Sequence, residues 1–183
     1  MRDFAEHTRS GMAALGLSFA SLQDIVEGHA LAVRTVGPRI ATIETLFSMQ
    51  AHTGCASYVL RAADGTLDGA LSIIPLTAAA GPSLAIGEFD GVEPPPAHAA
   101  RPGQPVIALY GWGMAALSWR GRATILNAAY RLHREIHPRL PLYGRAATPG
   151  GERSLLKRIG AHPVPGKGGL VVALAWAGQR RAA

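Results

Sequence analysis

Apolar residues recur at helical spacing in the first third of the chain. After Ser21, whose hydroxyl can cap a helix, a stripe with spacings of three and four residues extends to Gly37-Pro38; its members are Leu22, Ile25, Val26, His29, Ala30 and Val33. A second stripe runs from Pro38 to Thr53-Gly54. The pattern predicts two consecutive helices, with His29 as a core residue on the apolar side of the first.

The middle of the chain has the composition of strands and turns. Residues 55–77 contain two β-rich runs on either side of ADGTLDG, in which Asp-Gly occurs twice, and this is typical of a hairpin. Residues 83–91 are predicted to form a further strand. Residues 92–105, rich in proline, are predicted to form a loop.

The C-terminal half alternates strand, helix, strand, helix and strand, predicted at 106–117, 124–136, 140–148, 149–160 and 169–176. The first of these strands is apolar almost throughout, and Gly111 and Gly113 favour a bulge or a close backbone approach within it. Thr124 is the predicted cap of the helix that follows.

Strands that alternate with helices predict a partly parallel sheet with crossover connections. The chain of 183 residues, with 48% hydrophobic residues and 16% charged residues, is long enough for one domain with a real core. The sequence therefore predicts an α/β fold in a single domain over residues 1–183, with a mixed central sheet flanked by helices. Residues 1–19 are interpreted as an N-terminal extension or a first strand.

The cysteine content and the apolar runs favour a cytoplasmic protein. Cys55 is the one cysteine of the chain, has no disulfide partner within it and is interpreted as a small buried residue. Residues 12–22 are apolar, but Asp3 and Glu6 stand where a signal peptide would be basic. No run approaches the roughly 20 apolar residues that a membrane helix needs.

Charge is divided unevenly along the chain. The net charge is +6, but residues 1–93 carry five arginines against ten acidic residues, and residues 94–183 carry thirteen basic residues against two acidic ones. A basic C-terminal half favours a polyanionic partner, such as a nucleotide cofactor, an RNA or an acidic surface. A solvated basic face explains the same composition.

The stretch SWRGRATILNAAYRLHREI, residues 118–136, joins the apolar strand to a helix through a basic turn. A helix N-terminus presents unpaired N–H groups, and Arg120 and Arg122 place positive charge beside Gly121. Such a turn suits an anion. It lacks the GxGxxG pattern of a dinucleotide fold and the lysine of a Walker-type phosphate loop, and no HExxH metal motif occurs in the chain.

The segment LSWRGRATILNAAYRL, residues 117–132, resembles the loop on which GNAT-type N-acetyltransferases bind the pyrophosphate of an acyl-coenzyme A, and SLLKRIGAHPV, residues 154–164, resembles their late helix and the turn after it. The resemblance extends over residues 38–176. It implies a single-domain GNAT-like fold and acetyl-CoA or another acyl-CoA as co-substrate, with no metal.

Carried onto this chain, the resemblance implies a pyrophosphate loop made of Arg120, Gly121, Arg122, Ala123 and Thr124. It also implies a backbone amide at Ala115 that polarises the thioester carbonyl, with Leu117 in the place of a frequent proline. Two positions depart from the family pattern, because Ala123 and Ile125 stand where small, flexible residues are usual.

The family's frequent general acid, a tyrosine, corresponds to Leu156, which has no proton to donate. Glu88 and Tyr143 are therefore the candidate catalytic residues, with Tyr110 behind them and His162 as a weaker candidate. The alternatives are a solvent-facing carboxylate for Glu88 and a structural phenol for Tyr143.

The resemblance implies an acyl-CoA-dependent N-acyltransferase that moves an acyl group, in the first instance acetyl, directly to the amine of a small molecule or a protein. A catalytically degenerate GNAT-like protein that binds a ligand or a partner is the alternative, favoured by Ile125 and Leu156. An RNA-binding basic domain is a third hypothesis, and the oligomeric state, including a homodimer, is left open.

Overall fold

A mixed sheet with the strand order β1-β2-β3-β4-β5-β7-β6 runs through the centre of the computed structural model, which describes residues 3–166 and 168–175. Every neighbouring pair is antiparallel except β4 and β5, which are parallel. The strands are β1 Ser18–Phe19, β2 Ser57–Arg61, β3 Leu67–Leu76, β4 Ala108–Ala116, β5 Leu142–Arg145, β6 His162–Pro163 and β7 Leu170–Ala173. The predicted α/β class with a mixed sheet is confirmed.

Helices lie on both faces of this sheet. Wider turns extend α5 over Leu132–Ile136 and α6 over Leu155–Ile159, and short 3₁₀ turns occur at Ala78–Ala80 and Pro96–His98. The helices are α1 Phe4–Ala14, α2 Leu22–Thr35, α3 Ile43–Thr53, α4 Gly81–Ala85, α5 Trp119–Arg131 and α6 Pro149–Ser154. Residues 1–19, left open by the sequence, thus contribute a helix and then the edge strand, as far as they are described.

Local hydrogen bonds set the starts of the early helices. Ser21 and Asp24 form a reciprocal capping box at the start of α2. This agrees with the prediction that the hydroxyl of Ser21 caps the helix. The second helix begins at Ile43, because the side chain of Thr42 accepts the N–H of Thr45. The prediction of a start at Pro38 was wrong by five residues.

The apolar stripe predicted for α2 is rotated in the structure. The buried residues of α2 are Ile25, Gly28 and Leu31, whereas Leu22 is 63% exposed. A Cβ at Gly28 would lie 3.2 Å from the Cβ of Ala70, so this glycine lets the helix pack closely on β3. Close packing through Gly28 turns the neighbouring His29 to the edge of the helix face.

Two further predictions were wrong in their local structure. Residues 83–91 form no strand: Pro82 lies in the first turn of α4, and the chain then continues as a loop in which the N–H of Glu88 donates to the carbonyl of Ser83 (2.8 Å). The helix predicted over 124–136 begins at Trp119, because Ser118 rather than Thr124 is its cap.

The other elements agree with their predicted positions. The hairpin of residues 55–77 is confirmed as β2 and β3, joined by a turn at Asp64-Gly65. Residues 92–105 lack strands and contain one 3₁₀ turn. The last strand ends at Ala173, and Trp176, which was included in its predicted span, lies outside the described residues.

The core has a layer on each face of the sheet. On one face, α1, α5 and α6 pack against side chains that include Leu71, Ile73 and Leu109. On the other face, the sheet packs against α2, α3 and the segment after β3, with Ile74, Tyr110 and Phe89 among the buried residues. The central strands therefore have side chains toward both helical layers.

A histidine at the end of the α5 extension holds α1 in place. The ring of His137 stacks on Phe4 at 4.3 Å between centroids, and its Nε2 lies 2.8 Å from the hydroxyl of Thr8. Burial lowers the pKa of His137 to about 4, and the neighbouring His7 adds to that effect. The burial of this contact thus favours a neutral imidazole.

Stability should fall as the pH decreases from about 6.5 toward 4. The folded state binds fewer protons than the unfolded state in this window, so His137 costs about 2 to 3 kcal/mol by pH 4.5. Urea unfolding of the wild type and of a His137→Gln variant at pH 7 and pH 4.5 checks this. The difference between the two proteins in the free energy of unfolding should be smaller at pH 4.5 than at pH 7 by about 2 to 3 kcal/mol. Parallel pH dependences of the two proteins would contradict it.

Candidate active site

Strands β4 and β5 separate soon after they meet. They pair only at Leu109 with Leu142, Tyr110 with Tyr143 and Gly111 with Gly144, and β5 ends at Arg145 while β4 continues to Ala116. A bulge in β4 lies at the point of separation, since Ser72 and Ile73 of β3 oppose Gly113 and Gly111 and leave Trp112 as the extra residue. The predicted bulge is thus confirmed, and it lies where the strands diverge.

The bulge changes which backbone groups of β4 face the gap. Before it, the N–H of Leu109 donates to Pro141 on the β5 side (2.9 Å). After it, the N–H of Leu117 donates to the carbonyl of Asp68 on the β3 side (2.9 Å). Because the direction of the N–H alternates along a strand, odd-numbered residues face β5 before the bulge and β3 after it.

This alternation decides which amides are available to a ligand. Ala115 is opposite Ala70, so its N–H faces β3 within the sheet. The N–H groups of Met114 and Ala116 face the side where β5 has ended. The structure thus places Ala115 beside the gap, but its neighbours Met114 and Ala116 offer the backbone donors.

A cavity of about 790 Å³ occupies this gap and is lined from both faces of the sheet. Its size lies within the range of small-molecule sites. His29 and Ala32 of α2 contribute one wall, and Ala129 of α5 and Leu155 contribute another. Gly113 adds no side chain, and a Cβ at this position would meet nothing within 4 Å.

The segment that follows α4 closes one side of the cavity and is tied to the sheet by hydrogen bonds. The guanidinium of Arg145 donates to the carbonyls of Gly87 (2.9 Å), Gly168 (2.6 Å) and Phe89. The indole N–H of Trp112 donates to the carbonyl of Gly91 (2.5 Å). The residue at the bulge and the last residue of β5 thus fix the same wall.

The structure does not bring the two predicted catalytic residues together. Tyr143 is half-buried and lines the cavity beside Tyr110, whose pKa is raised by burial. Glu88 is exposed in the loop after α4 and is not part of the cavity wall. His162 is exposed on the edge strand β6.

His29 and Asp90 are among the titratable groups of the cavity wall that the sequence analysis did not assign to a site. His29 is half-buried on α2, and Asp90 follows the segment that Arg145 holds. The side chain of Asp90 accepts the N–H groups of Val92 (2.7 Å) and Glu93 (3.1 Å), which makes it a turn residue. The position of His29 next to Gly28, inside an apolar stripe, was the sequence signal that could have identified it as a site residue.

The anion at the start of α5 is a carboxylate of the chain itself. The side chain of Asp68 accepts the N–H of Ser118 (3.0 Å) and its hydroxyl (2.8 Å), and the Ser118 oxygen accepts the N–H of Gly121 (2.8 Å). A Cβ at Gly121 would lie 2.7 Å from Asp68 Oδ2. The glycine of the basic turn therefore accommodates Asp68.

The other predicted loop residues lie in the first turns of α5, outside the cavity wall. Arg120 lies over the ring of Trp119, 5.4 Å from its centroid, and Trp119 is 73% exposed. Arg122 donates to the carbonyl of Leu117 (3.4 Å), while Ala123 is exposed and Thr124 half-buried. These residues thus lie together at the start of α5, but they do not line the cavity.

Ile125 belongs to the core. It is 3% exposed, and a Cβ at Gly69 would lie 2.8 Å from its side chain. Ile125, which departs from the family pattern, therefore does not line a phosphate loop, because its side chain packs toward Gly69 of β3.

Cys55 is buried, and burial raises the pKa of its thiol to about 12. Within residues 3–166 and 168–175, no group of three or more His, Cys, Asp or Glu is placed to hold a metal ion. Over the same ranges no helix has the length and apolar character needed to cross a membrane.

No protein-family model and no curated protein matches this sequence. A solved structure does match the fold: the histone acetyltransferase HPA2 and related acetyltransferase from Corynebacterium glutamicum, with a TM-score of 0.51 and 16% identity, over 87% of this chain and 96% of that one. At this identity the likeness is one of fold. The seven-stranded mixed sheet with its flanking helices therefore resembles the fold of that acetyltransferase.

The contact between Asp68 and Gly121 should reverse the effect of one substitution. Gly121→Ala should lower the free energy of unfolding of the wild type by about 1 to 2 kcal/mol, since its Cβ displaces a hydrogen-bonded carboxylate. In an Asp68→Ser background, Gly121→Ala should instead raise the free energy of unfolding by up to about 1 kcal/mol, because alanine is the better helix former. Urea titrations of the four proteins measure the coupling, and the same sign in both backgrounds would contradict it.

Proposed function

We propose that this protein is an acyl-CoA-dependent N-acyltransferase that transfers an acyl group, in the first instance acetyl, directly to an amine. The observation that carries the proposal is the cavity between β4 and β5, which is lined from both faces of the sheet and has unpaired strand amides at its edge. Two substrates can meet in such a gap from opposite sides. The acetyltransferase-like fold supports the same reaction class.

In this proposal the thioester arm lies along β4 beyond its last pair with β5. The N–H of Met114 donates to the thioester carbonyl oxygen, where negative charge develops as the tetrahedral intermediate forms. Holding both substrates in one cavity provides much of the rate by proximity. The buried thiol of Cys55, with its raised pKa, is no nucleophile, which agrees with direct transfer.

The amine approaches from the α2 side and attacks the carbonyl carbon. His29 accepts the proton that the amine loses, and Tyr143 donates a proton to the departing thiolate sulfur. Both side chains line the cavity, one from α2 and one from β5. Tyr143 thus keeps the role predicted from the sequence, while His29 replaces Glu88.

Filling the cavity should abolish the activity without unfolding the protein. Gly113→Phe adds a ring where nothing lies within 4 Å, so thiol release from acetyl-CoA with a panel of primary amines should fall by about 100-fold or more. Gly81→Phe is the matched control, since a Cβ there also meets nothing within 4 Å and Gly81 is outside the cavity wall. Equal losses in the two variants, or none in Gly113→Phe, would count against the cavity as the site.

The two proton-transfer residues should affect turnover more than binding. Tyr143→Phe and His29→Gln should each lower kcat by about 100-fold, while KM for acetyl-CoA changes little. Steady-state kinetics with a responsive amine measure the effect, and Glu88→Gln is the control, expected to be unchanged because Glu88 is exposed and outside the cavity. A loss of activity in the Glu88→Gln variant alone would restore Glu88 as the catalytic residue predicted from the sequence.

A second candidate function is binding without turnover, favoured by two observations. Leu156 offers no proton where the family has its acid, and Asp68 fills the helix start that the resemblance assigned to pyrophosphate. Calorimetric binding of acetyl-CoA with no thiol release from any amine would establish this candidate. The amine acceptor, an RNA partner, a homodimer and the cytoplasmic location stay predictions of the sequence.

A further inference from the structure

The position of Asp68 bears on how an acyl donor is held. Its carboxylate accepts two hydrogen bonds from Ser118, and its own carbonyl accepts the N–H of Leu117 (2.9 Å). Bonds to the side chain and the main chain together fix Asp68 against the first turn of α5. A diphosphate at this turn would lie beside a carboxylate that is already hydrogen-bonded to Ser118.

The charge of Asp68 is not neutralised by the arginines beside it. Among the described residues, the salt bridges join Arg61 to Asp24 and Glu27 and Arg131 to Glu135, and none includes Asp68. Arg120 lies over Trp119, and Arg122 donates to the carbonyl of Leu117. A second anion at the start of α5 therefore meets like charge at close range.

The cavity itself is independent of this helix start. Its wall includes Gly111, Gly113 and Met114 of β4, but neither Asp68 nor any residue from 117 to 124. The apolar part of its surface exceeds the polar part, which suits an uncharged arm. The pantetheine part of a thioester is uncharged and carries amide groups that can pair with strand amides and carbonyls.

Resting on the proposed function, we infer that the acyl donor is recognised through its pantetheine arm alone, because Asp68 excludes the diphosphate of CoA from the start of α5. The substrate class is then any acyl-pantetheine thioester, whether free, within CoA or attached to a carrier protein. Asp68 is the specificity-determining residue, and the nucleotide of CoA contributes little.

Competing donors test the inference directly. With one amine acceptor, kcat/KM for acetyl-pantetheine should lie within about tenfold of that for acetyl-CoA, and a preference for acetyl-CoA of more than about tenfold would overturn the inference. An acetylated phosphopantetheine carrier protein forms the third arm. If it is the best donor, the thioester comes from a carrier protein; if it is no better than acetyl-pantetheine, the source is a small thioester, and both results agree with the inference.

The nucleotide end of CoA can be tested without turnover. Calorimetry with adenosine 3′-phosphate 5′-diphosphate, the nucleotide part of CoA, should show no binding to the wild type up to about millimolar concentration. Asp68→Ala should gain at least about tenfold in affinity, and Asp68→Asn, which keeps the shape without the charge, is the second variant if the first fails to fold. Binding by the wild type that Arg120→Ala with Arg122→Ala removes would overturn the inference, as would a folded Asp68 variant that gains nothing.

The two experiments separate the inference from the proposed function. If no thioester is turned over or bound, the acyltransferase proposal fails and the substrate class fails with it, while the nucleotide measurement still decides whether Asp68 excludes a diphosphate. If thioesters are turned over but acetyl-CoA is strongly preferred, the proposed function stands and only the inference fails.

Discussion

The separation of β4 from β5 is the constraint on which the rest of the structure depends. A parallel pair that continued to Ala116 would satisfy the backbone of β4 and leave no space in the sheet. Instead β5 ends at Arg145, and the bulge at Trp112 shifts the alternation so that the N–H groups of Met114 and Ala116 face the gap. The cavity and its unpaired amides follow from the early end of β5, and the extra residue at the bulge decides which amides they are.

Keeping the gap open requires the surrounding elements to be held independently of β5. Arg145 and Trp112 fix the segment after α4 through main-chain carbonyls, and close helix packing fixes the two faces. Gly28 brings α2 onto Ala70, and Gly69 gives room to Ile125 of α5. Glycines thus bring both helices close to β3, so the sheet stays rigid next to the place where β4 and β5 part.

Features that depend on neighbouring residues were predictable from the sequence, and features that depend on distant pairs were not. Residues close together in the sequence indicated the hairpin, the capping box at Ser21 and the bulge between Gly111 and Gly113. Asp68 lies 50 residues before Ser118, so nothing near α5 indicated that a carboxylate is hydrogen-bonded at its start. Two local signals were also misinterpreted: Ser118, which accepts the N–H of Gly121, is the cap rather than Thr124, and Pro82 lies in the first turn of a helix where a strand was predicted.

An anion is needed at the start of α5 whether or not a ligand is present, because the first N–H groups of a helix and its dipole favour negative charge. A helix that waits for a ligand leaves these groups to water in the free protein. Here the carboxylate of Asp68 provides negative charge at this turn through its hydrogen bonds to Ser118, and Gly121 provides the space. The hydrogen bonds between Asp68 and Ser118 that stabilise the free protein therefore oppose the binding of a diphosphate. The more stable this contact is, the weaker the binding of a nucleotide at the start of α5.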